Sequence, residues 1–141
     1  MRVIIAGSRR IVNESLVFAI LNPLRNEIPI LEVICGRAGG VDSLGEAWAQ
    51  KNFIPVTPFP ADWKNLKAPG AVIKSNNYGQ YNAKAGFNRN EKMATYGQAL
   101  VLIWDGNSPG SRDMLTRAKA HGLLVYEYVV SNTGQVERRL I

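Results

Sequence analysis

The pattern of apolar and polar positions along this chain predicts strands and helices that follow one another in alternation. Short apolar runs rich in Val, Ile and Leu have the length of buried strands, at about residues 2–6, 31–35, 54–57, 99–104 and 123–128. Apolar residues that recur every three or four positions predict helices over about residues 14–25, 41–51, 88–96 and 111–121. Asn13 is the expected N-cap of the first helix, and Gly122 the expected C-terminal cap of the last.

This alternation is typical of an α/β fold with right-handed crossovers. We predict one Rossmann-like domain over residues 1–141, a three-layer sandwich whose mainly parallel five-stranded sheet has the order 3-2-1-4-5 and carries helices on both faces. Pro55 favours an edge position for the third strand. In such a sheet, ligands bind beyond the carboxyl ends of strands one and four, where the strand order reverses.

Residues 67–84 interrupt the alternation with Pro, Gly and Asn-rich sequence. A long loop inside a compact domain is uncommon and often functional, so we predict a lid or a contact loop here, with Tyr78 and Tyr81 as candidate lid residues. The tail over residues 131–141 is either a short strand or a packing arm.

Composition narrows the class of protein. The 141 residues are 46% hydrophobic, which suits one domain with a real core. No apolar run approaches the roughly 20 residues of a membrane span, and the first residues lack the pattern of a signal peptide. The single cysteine, Cys35, is expected to be buried and favours a cytoplasmic location. The single histidine, His121, argues against a His-based triad or metal cluster, so we assign no metal and no cofactor.

Glycine-rich segments follow three of the predicted strands and open the helices after them. They contain Gly7, Ser8 and Arg9, then Gly39, Gly40 and Asp42, and finally Gly106, Ser108, Gly110 and Ser111. Exposed backbone N–H groups at a helix N-terminus bind phosphate well. Because the carboxyl ends of parallel strands meet at one edge of a sheet, we predict that the three segments form one anion pocket.

Several polar side chains near this pocket have two interpretations. Ser8 and Arg9 either hold a phosphate or carboxylate, or are a capping hydroxyl and a surface cation. Asp42 is either the N-cap of the second helix or an acceptor for ribose hydroxyls, and Ser111 is equally open at the last helix. The convergence of three loops favours binding.

Further candidates lie around the third helix. Arg89 is predicted to reach the crevice and Asn90 to brace a loop. Asp62 and Trp63 follow Pro60, and Trp63 either stacks on a base or packs on the sheet edge. We interpret His121 as structural.

Five motifs in this order resemble the YspA-like branch of the SLOG superfamily. Over about residues 1–128 they are Gly7-Ser8-Arg9, Gly39-Gly40-Val41-Asp42, Phe59-Pro60-Ala61-Asp62-Trp63, Ala85-Gly86-Phe87-Asn88-Arg89-Asn90 with Met93, and Gly106-Asn107-Ser108-Pro109-Gly110-Ser111 with Met114. The resemblance implies a Rossmann-like domain that binds a nucleotide or a nucleotide-derived signal. Relatives commonly self-associate, so the resemblance also implies a homo-oligomer.

The superfamily includes the lonely-guy phosphoribohydrolases, which cleave the N-glycosidic bond of a nucleoside monophosphate. By resemblance, Arg89 corresponds to their helix-start arginine and Ser111 to their threonine, whereas Met114 stands where their catalytic glutamate would be. A thioether cannot act as a base or stabilise an oxocarbenium-like centre. Neither Asp42 nor Asp113 matches the motif, so we assign no catalytic residue.

The leading hypothesis is therefore a binder of a nucleotide or nucleotide-derived small molecule, acting as a sensor or sequestering domain. One alternative is an N-glycosidic hydrolase or transferase acting on nucleoside monophosphates. Another is a module that binds single-stranded nucleic acid, because the net charge is +6 and the superfamily includes DNA-processing proteins of the DprA type. The basic residues are scattered, which makes nucleic acid the weaker alternative, and no membrane partner is expected.

Overall fold

The computed structural model of the chain describes residues 1–77 and 79–139. In chain order its elements are β1 (Arg2–Gly7), α1 (Glu14–Leu24), β2 (Glu32–Cys35), α2 (Val41–Lys51), β3 (Val56–Pro58), β4 (Ile73–Asn76), β5 (Gly79–Asn82), α3 (Ala85–Tyr96), β6 (Ala99–Trp104), α4 (Pro109–Ala120), β7 (Leu124–Val130) and β8 (Val136–Arg139). Asn13 caps α1 as predicted, since its side chain accepts a hydrogen bond from the Leu16 N–H at 3.2 Å.

The main sheet has six strands in the order β3-β2-β1-β6-β7-β8. All neighbours are parallel except β7 and β8, which are antiparallel. The predicted order of the first five strands and the edge position of the Pro55 strand are confirmed, but the predicted number of strands was wrong. The tail turns back at Gly134, which has a φ of +83°, and pairs Val136 with Val130, so it is a strand rather than an arm.

Helices cover both faces of this sheet and define two apolar layers. On one face, Val3 and Ile5 pack with residues of α1 and α2, including the fully buried Trp48. On the other, Ile4 packs with Met93 of α3 and Met114 of α4. All six residues of β6 are buried, which explains its continuous apolar sequence. This three-layer arrangement confirms the predicted Rossmann-like sandwich.

Cys35 lies in this buried sheet, as predicted. Its Sγ–H donates to the Glu46 carboxylate at 3.1 Å. Burial, together with the hydrogen bond and negative charge of Glu46, raises the pKa of the thiol to about 12. The thiol is therefore protonated and unreactive at neutral pH.

The segment predicted as a loop, residues 67–84, contains the antiparallel hairpin β4–β5. Asn82 anchors the hairpin: its backbone N–H donates to the Trp63 carbonyl at 2.6 Å, and its side chain is 1% exposed. Tyr78, a predicted lid residue, lies outside the described residues. The four residues Ile73–Asn76 are all exposed and do not alternate between apolar and polar side chains, which is why the sequence indicated a loop.

Two helices begin earlier than predicted. Helix α3 begins at Ala85 rather than near residue 88, and α4 begins at Pro109 rather than at Ser111. Proline suits the first helical turn because it has no N–H to leave unbonded. Among residues 1–77 and 79–139, none of the helices has the length and hydropathy that crossing a bilayer requires.

Gly40 allows two loops to pack directly against each other. Its φ is +55°, and a Cβ atom there would overlap the Ser8 carbonyl oxygen and the Arg9 backbone. Gly39 also has a positive φ, +88°, but a Cβ atom on it would meet nothing within 4 Å. The two adjacent glycines therefore differ in how closely other backbone approaches them.

We expect Gly40→Ala to lower the free energy of unfolding by about 3 kcal/mol or more, because backbone strain and overlap add together. Gly39→Ala, the matched control, should cost only the left-handed conformation, about 1–2 kcal/mol. Urea unfolding followed by circular dichroism measures both. Equal losses in the two variants would contradict the packing role assigned to Gly40.

Candidate functional site

A cavity of about 570 Å³ opens at the carboxyl ends of β1 and β6, where the strand order reverses. It lies between the N-terminal ends of α3 and α4 and the loops that follow β1, β2 and β6. The predicted site residues that line it are Gly7, Arg9, Asp42, Trp63, Arg89, Asn90, Ser108, Gly110 and Ser111. Those that do not line it are Ser8, Gly39, Gly40, Asp62 and Gly106.

Arg89 is the buried cation of the cavity wall, with 9% of its surface exposed. Its Nη1 donates to the backbone carbonyl of Gly36, and more weakly to that of Phe59 at 3.5 Å. A Cβ atom on Gly36 would overlap this guanidinium, so the approach depends on glycine. Burial lowers the pKa of Arg89, while the nearby Asp42 carboxylate acts in the opposite direction. Within the described residues, the Nη2 of Arg89 has no hydrogen-bond partner.

Asn90 positions Arg89 and joins two helices. Its Oδ1 accepts a hydrogen bond from the Arg89 Nε at 3.0 Å. Its Nδ2 donates to the Gly110 carbonyl at 3.2 Å and to the Asp113 carboxylate at 3.0 Å. The predicted bracing role of Asn90 thus takes the form of a link from α3 to the start of α4.

Asp42 is not the N-cap of α2, because Gly40 occupies that position. Asp42 lies in the first turn of the helix, is 4% exposed and lines the cavity. Its Oδ2 accepts a hydrogen bond from the Ala38 N–H at 3.1 Å. Burial raises the pKa of this carboxyl group, against the opposing effects of the Ala38 N–H and the Arg89 guanidinium.

Ser111 is likewise not an N-cap, because Ser108 holds that position in α4. The Ser108 hydroxyl does not bond to the helix. It contacts Ser8 Oγ at 2.9 Å and Asp105 Oδ1 at 3.2 Å. In the part of the chain that the structure describes, the N–H groups of Gly110 and Ser111 therefore have no protein acceptor, and they lie at the cavity.

The first turn of α3 also lies at the cavity. Gly86 and Phe87 line it, and Lys84 caps the helix without a side-chain hydrogen bond. Helix α2 differs, because its first N–H groups, those of Val41 and Asp42, donate to the carbonyls of Ser8 and Gly39. The Val41 N–H is thus bonded to the loop that follows β1 and the Asp42 N–H to its own loop, and Gly39 and Gly40 do not line the cavity.

Ser8 holds the first and third glycine segments together instead of lining the cavity. Its side chain is 1% exposed, and its Oγ accepts a hydrogen bond from the Asp105 N–H at 3.2 Å. Asp105 in turn accepts from the N–H groups of Asn107 and Ser108, and the first of these lowers its pKa. Both Asp105 and Asn107 line the cavity and were missed, although they lie within the third glycine segment.

Trp63 lines the cavity from the side of the hairpin. Its ring stands edge-on to Tyr81 at 6.4 Å between centroids and lies over Gly86 of α3. With 37% of its surface exposed, Trp63 offers an aromatic face beside the half-exposed Phe87.

The cavity floor is apolar and was not anticipated from the residues. Met93 and Met114, each 1% exposed, lie in the core between sheet and helices and also line the cavity. Periodicity alone marks such residues only as core.

His121 lies away from the cavity and bonds to Glu91 at 2.8 Å. In residues 1–77 and 79–139, His, Cys, Asp and Glu side chains form no group of three that could hold a metal ion.

Comparison with protein families supports the resemblance found in the motifs. Residues 1–66 match the model of the YspA, cpYpsA-related SLOG family. This confirms the resemblance over the part of the chain that carries Arg9, Asp42 and Trp63. Arg89 and Ser111 lie outside the matched residues. No curated protein matches the chain.

The raised pKa of Asp42 has a consequence for stability. An aspartate in the unfolded chain has a pKa of about 4, so between that pH and its higher folded pKa the native state binds more protons than the unfolded state. The Asp42 contribution to the free energy of unfolding therefore falls as the pH rises through this window. Above the window it stays at its lower value.

We expect Asp42→Asn to be more stable than the unmodified protein at neutral pH, because the amide is uncharged and still accepts the Ala38 N–H. The difference should grow as the pH rises from about 4 and then level off. Urea unfolding of both proteins at a series of pH values measures it. A difference that shrinks with rising pH would contradict the burial effect at Asp42.

Proposed function

We propose that this chain binds a phosphorylated, nucleotide-like small molecule in the cavity between α3 and α4. The observation that carries the proposal is the convergence of Arg9, Arg10 and Arg89 with two helix N-termini at one cavity, which is also lined by the rings of Trp63 and Phe87 and by Met93 and Met114. Its volume of about 570 Å³ is in the range of small-molecule sites.

The arginines and the free helix amides suit a phosphate group. The N–H groups of Gly110 and Ser111 lack acceptors, and the dipole of the 12-residue helix α4 favours a negative charge beside them. Arg9 and Arg10 are exposed at the same rim, and Arg89 has free donors. Charge-assisted hydrogen bonds of this kind are the strong ones.

The exposed aromatic side chains in the cavity suit a planar ring. Trp63 and Phe87 are 37% and 39% exposed, while Met93 and Met114 lie beneath them. Aromatic faces stack on a nucleobase without much regard to its identity. The family match of residues 1–66 adds support for a nucleotide-related ligand at this coarse level.

Binding without turnover accounts for the residues better than hydrolysis does. Met114 lies in the cavity floor, where a thioether offers neither a proton nor a negative charge. Asp113 is held by Asn90 and Arg117, at 3.0 and 2.8 Å. We therefore propose a sensor or sequestering domain. The homo-oligomer and the cytoplasmic location stay predictions from the sequence and the resemblance.

Calorimetry against nucleoside mono-, di- and triphosphates, NAD and cyclic ADP-ribose isomers tests this proposal. We expect at least one compound to bind. Arg9→Ala should weaken its affinity about tenfold or more through the loss of a charge-assisted contact. Lys92→Ala, which removes an exposed charge from α3 outside the cavity, is the control and should leave affinity unchanged. No heat with any compound would overturn the proposal.

A second measurement tests the role of the exposed aromatic side chains. We expect Trp63→Ala to weaken a bound nucleotide by about 1–3 kcal/mol, the usual value of one stacked base. Affinity for ribose 5-phosphate, which has no ring to stack, should not change. Equal losses for both compounds would show that Trp63 acts only by supporting the cavity.

A further inference from the structure

The Asp42 carboxylate is a buried negative charge that the protein satisfies only in part. A carboxylate offers about four acceptor sites. Ala38 N–H bonds to Oδ2 at 3.1 Å, and the Gly7 N–H adds a smaller stabilising effect. No ion pair forms at Asp42 within the described residues, although its side chain is only 4% exposed. The remaining acceptor capacity lies at the wall of the cavity.

A negatively charged ligand group does not suit this acceptor, because two negative charges in a buried site repel each other. What suits it is a neutral hydrogen-bond donor. In a nucleotide-like ligand the neutral donors are the sugar hydroxyls on one side and the amino and ring N–H groups of the base on the other.

The geometry separates these two donors. A Cβ atom on Gly36 would meet both the Arg89 Nη1 and, at 3.0 Å, the Asp42 Oδ2. A Cβ atom on Gly86 would lie 3.7 Å from the Arg89 Nη2 and 3.1 Å from the Trp63 ring. The guanidinium thus lies near Asp42 through Nη1 and near Trp63 through Nη2, which favours the sugar rather than a base stacked on Trp63 as the partner of Asp42.

We propose that Asp42 reads the ribose hydroxyls of the ligand, so that the site takes ribonucleotides and rejects their 2′-deoxy counterparts. This inference rests on the proposed function. A 2′-hydroxyl that donates to Asp42 supplies a partner that the buried charge lacks, whereas a 2′-deoxy sugar, which keeps only its 3′-hydroxyl, leaves that partner missing. Sites built to bond a hydroxyl reject an analogue without it more strongly than apolar pockets reject a change of size.

Calorimetry of the full chain with AMP, GMP, CMP and UMP, each beside its 2′-deoxy form, tests the inference. For any pair that binds, we expect the ribose form to bind about tenfold more tightly or better. In Asp42→Asn that ratio should fall toward one, because a neutral amide is a weaker acceptor and needs compensation less. Glu14→Gln, at the exposed start of α1, is the charge control and should keep the ratio.

The outcomes separate the two proposals. If none of these nucleotides nor any compound of the wider panel binds, the proposed function itself fails. If nucleotides bind but each ribose and deoxy pair binds equally, the role of Asp42 is overturned and the proposed function stands. A ratio that persists in Asp42→Asn also overturns it, since another group would then read the hydroxyl. Should Asp42→Asn not fold, the ratio in the unmodified chain decides.

Discussion

The buried guanidinium of Arg89 ties together the parts of the chain that form the cavity. From α3 it donates to the Gly36 carbonyl after β2 and to the Phe59 carbonyl after β3. Through Asn90 it is coupled to the Gly110 carbonyl at the start of α4. A buried charge is tolerated only where hydrogen bonds replace its hydration. The contacts that offset the cost of burying the Arg89 charge therefore also join the walls of the cavity.

The cavity forms where the strand order reverses, and the packing of the loops determines which groups line it. The loops after β1 and β2 pack directly on each other, because Gly40 admits the Ser8 carbonyl and the Arg9 backbone. This contact supplies an acceptor for the Val41 amide of α2, and the Asp42 amide bonds to Gly39 in its own loop. Within the described residues, no loop supplies acceptors in this way to the first turns of α3 and α4. The proposed anion contacts are thus assigned to these two helices rather than to all three glycine segments.

The sequence predicted the layers and the strand order well, because both follow from local apolar patterns such as that of β6. It could not predict β8 or the β4–β5 hairpin, whose exposed residues carry no alternation and depend on distant pairing. At the site, motif position indicated Arg9, Asp42 and Arg89. The burial of Asp42 beneath the start of α2 and the exposure of Met93 to a cavity are consequences of packing, which periodicity does not encode.

The proposed ligand is supported by the position of the groups that have unused hydrogen-bond capacity. Among the described residues, no fully buried side-chain nitrogen or oxygen lacks a hydrogen-bond partner. Unused hydrogen-bond capacity remains at three places among the residues that line one cavity, namely the Arg89 Nη2, the Asp42 carboxylate and the first amides of α4. Because the interior is otherwise satisfied, this unused capacity at one cavity supports a ligand there. A ligand carrying both an anion and neutral donors would satisfy this mixed set, whereas an apolar ligand or a bare anion would satisfy only part of it.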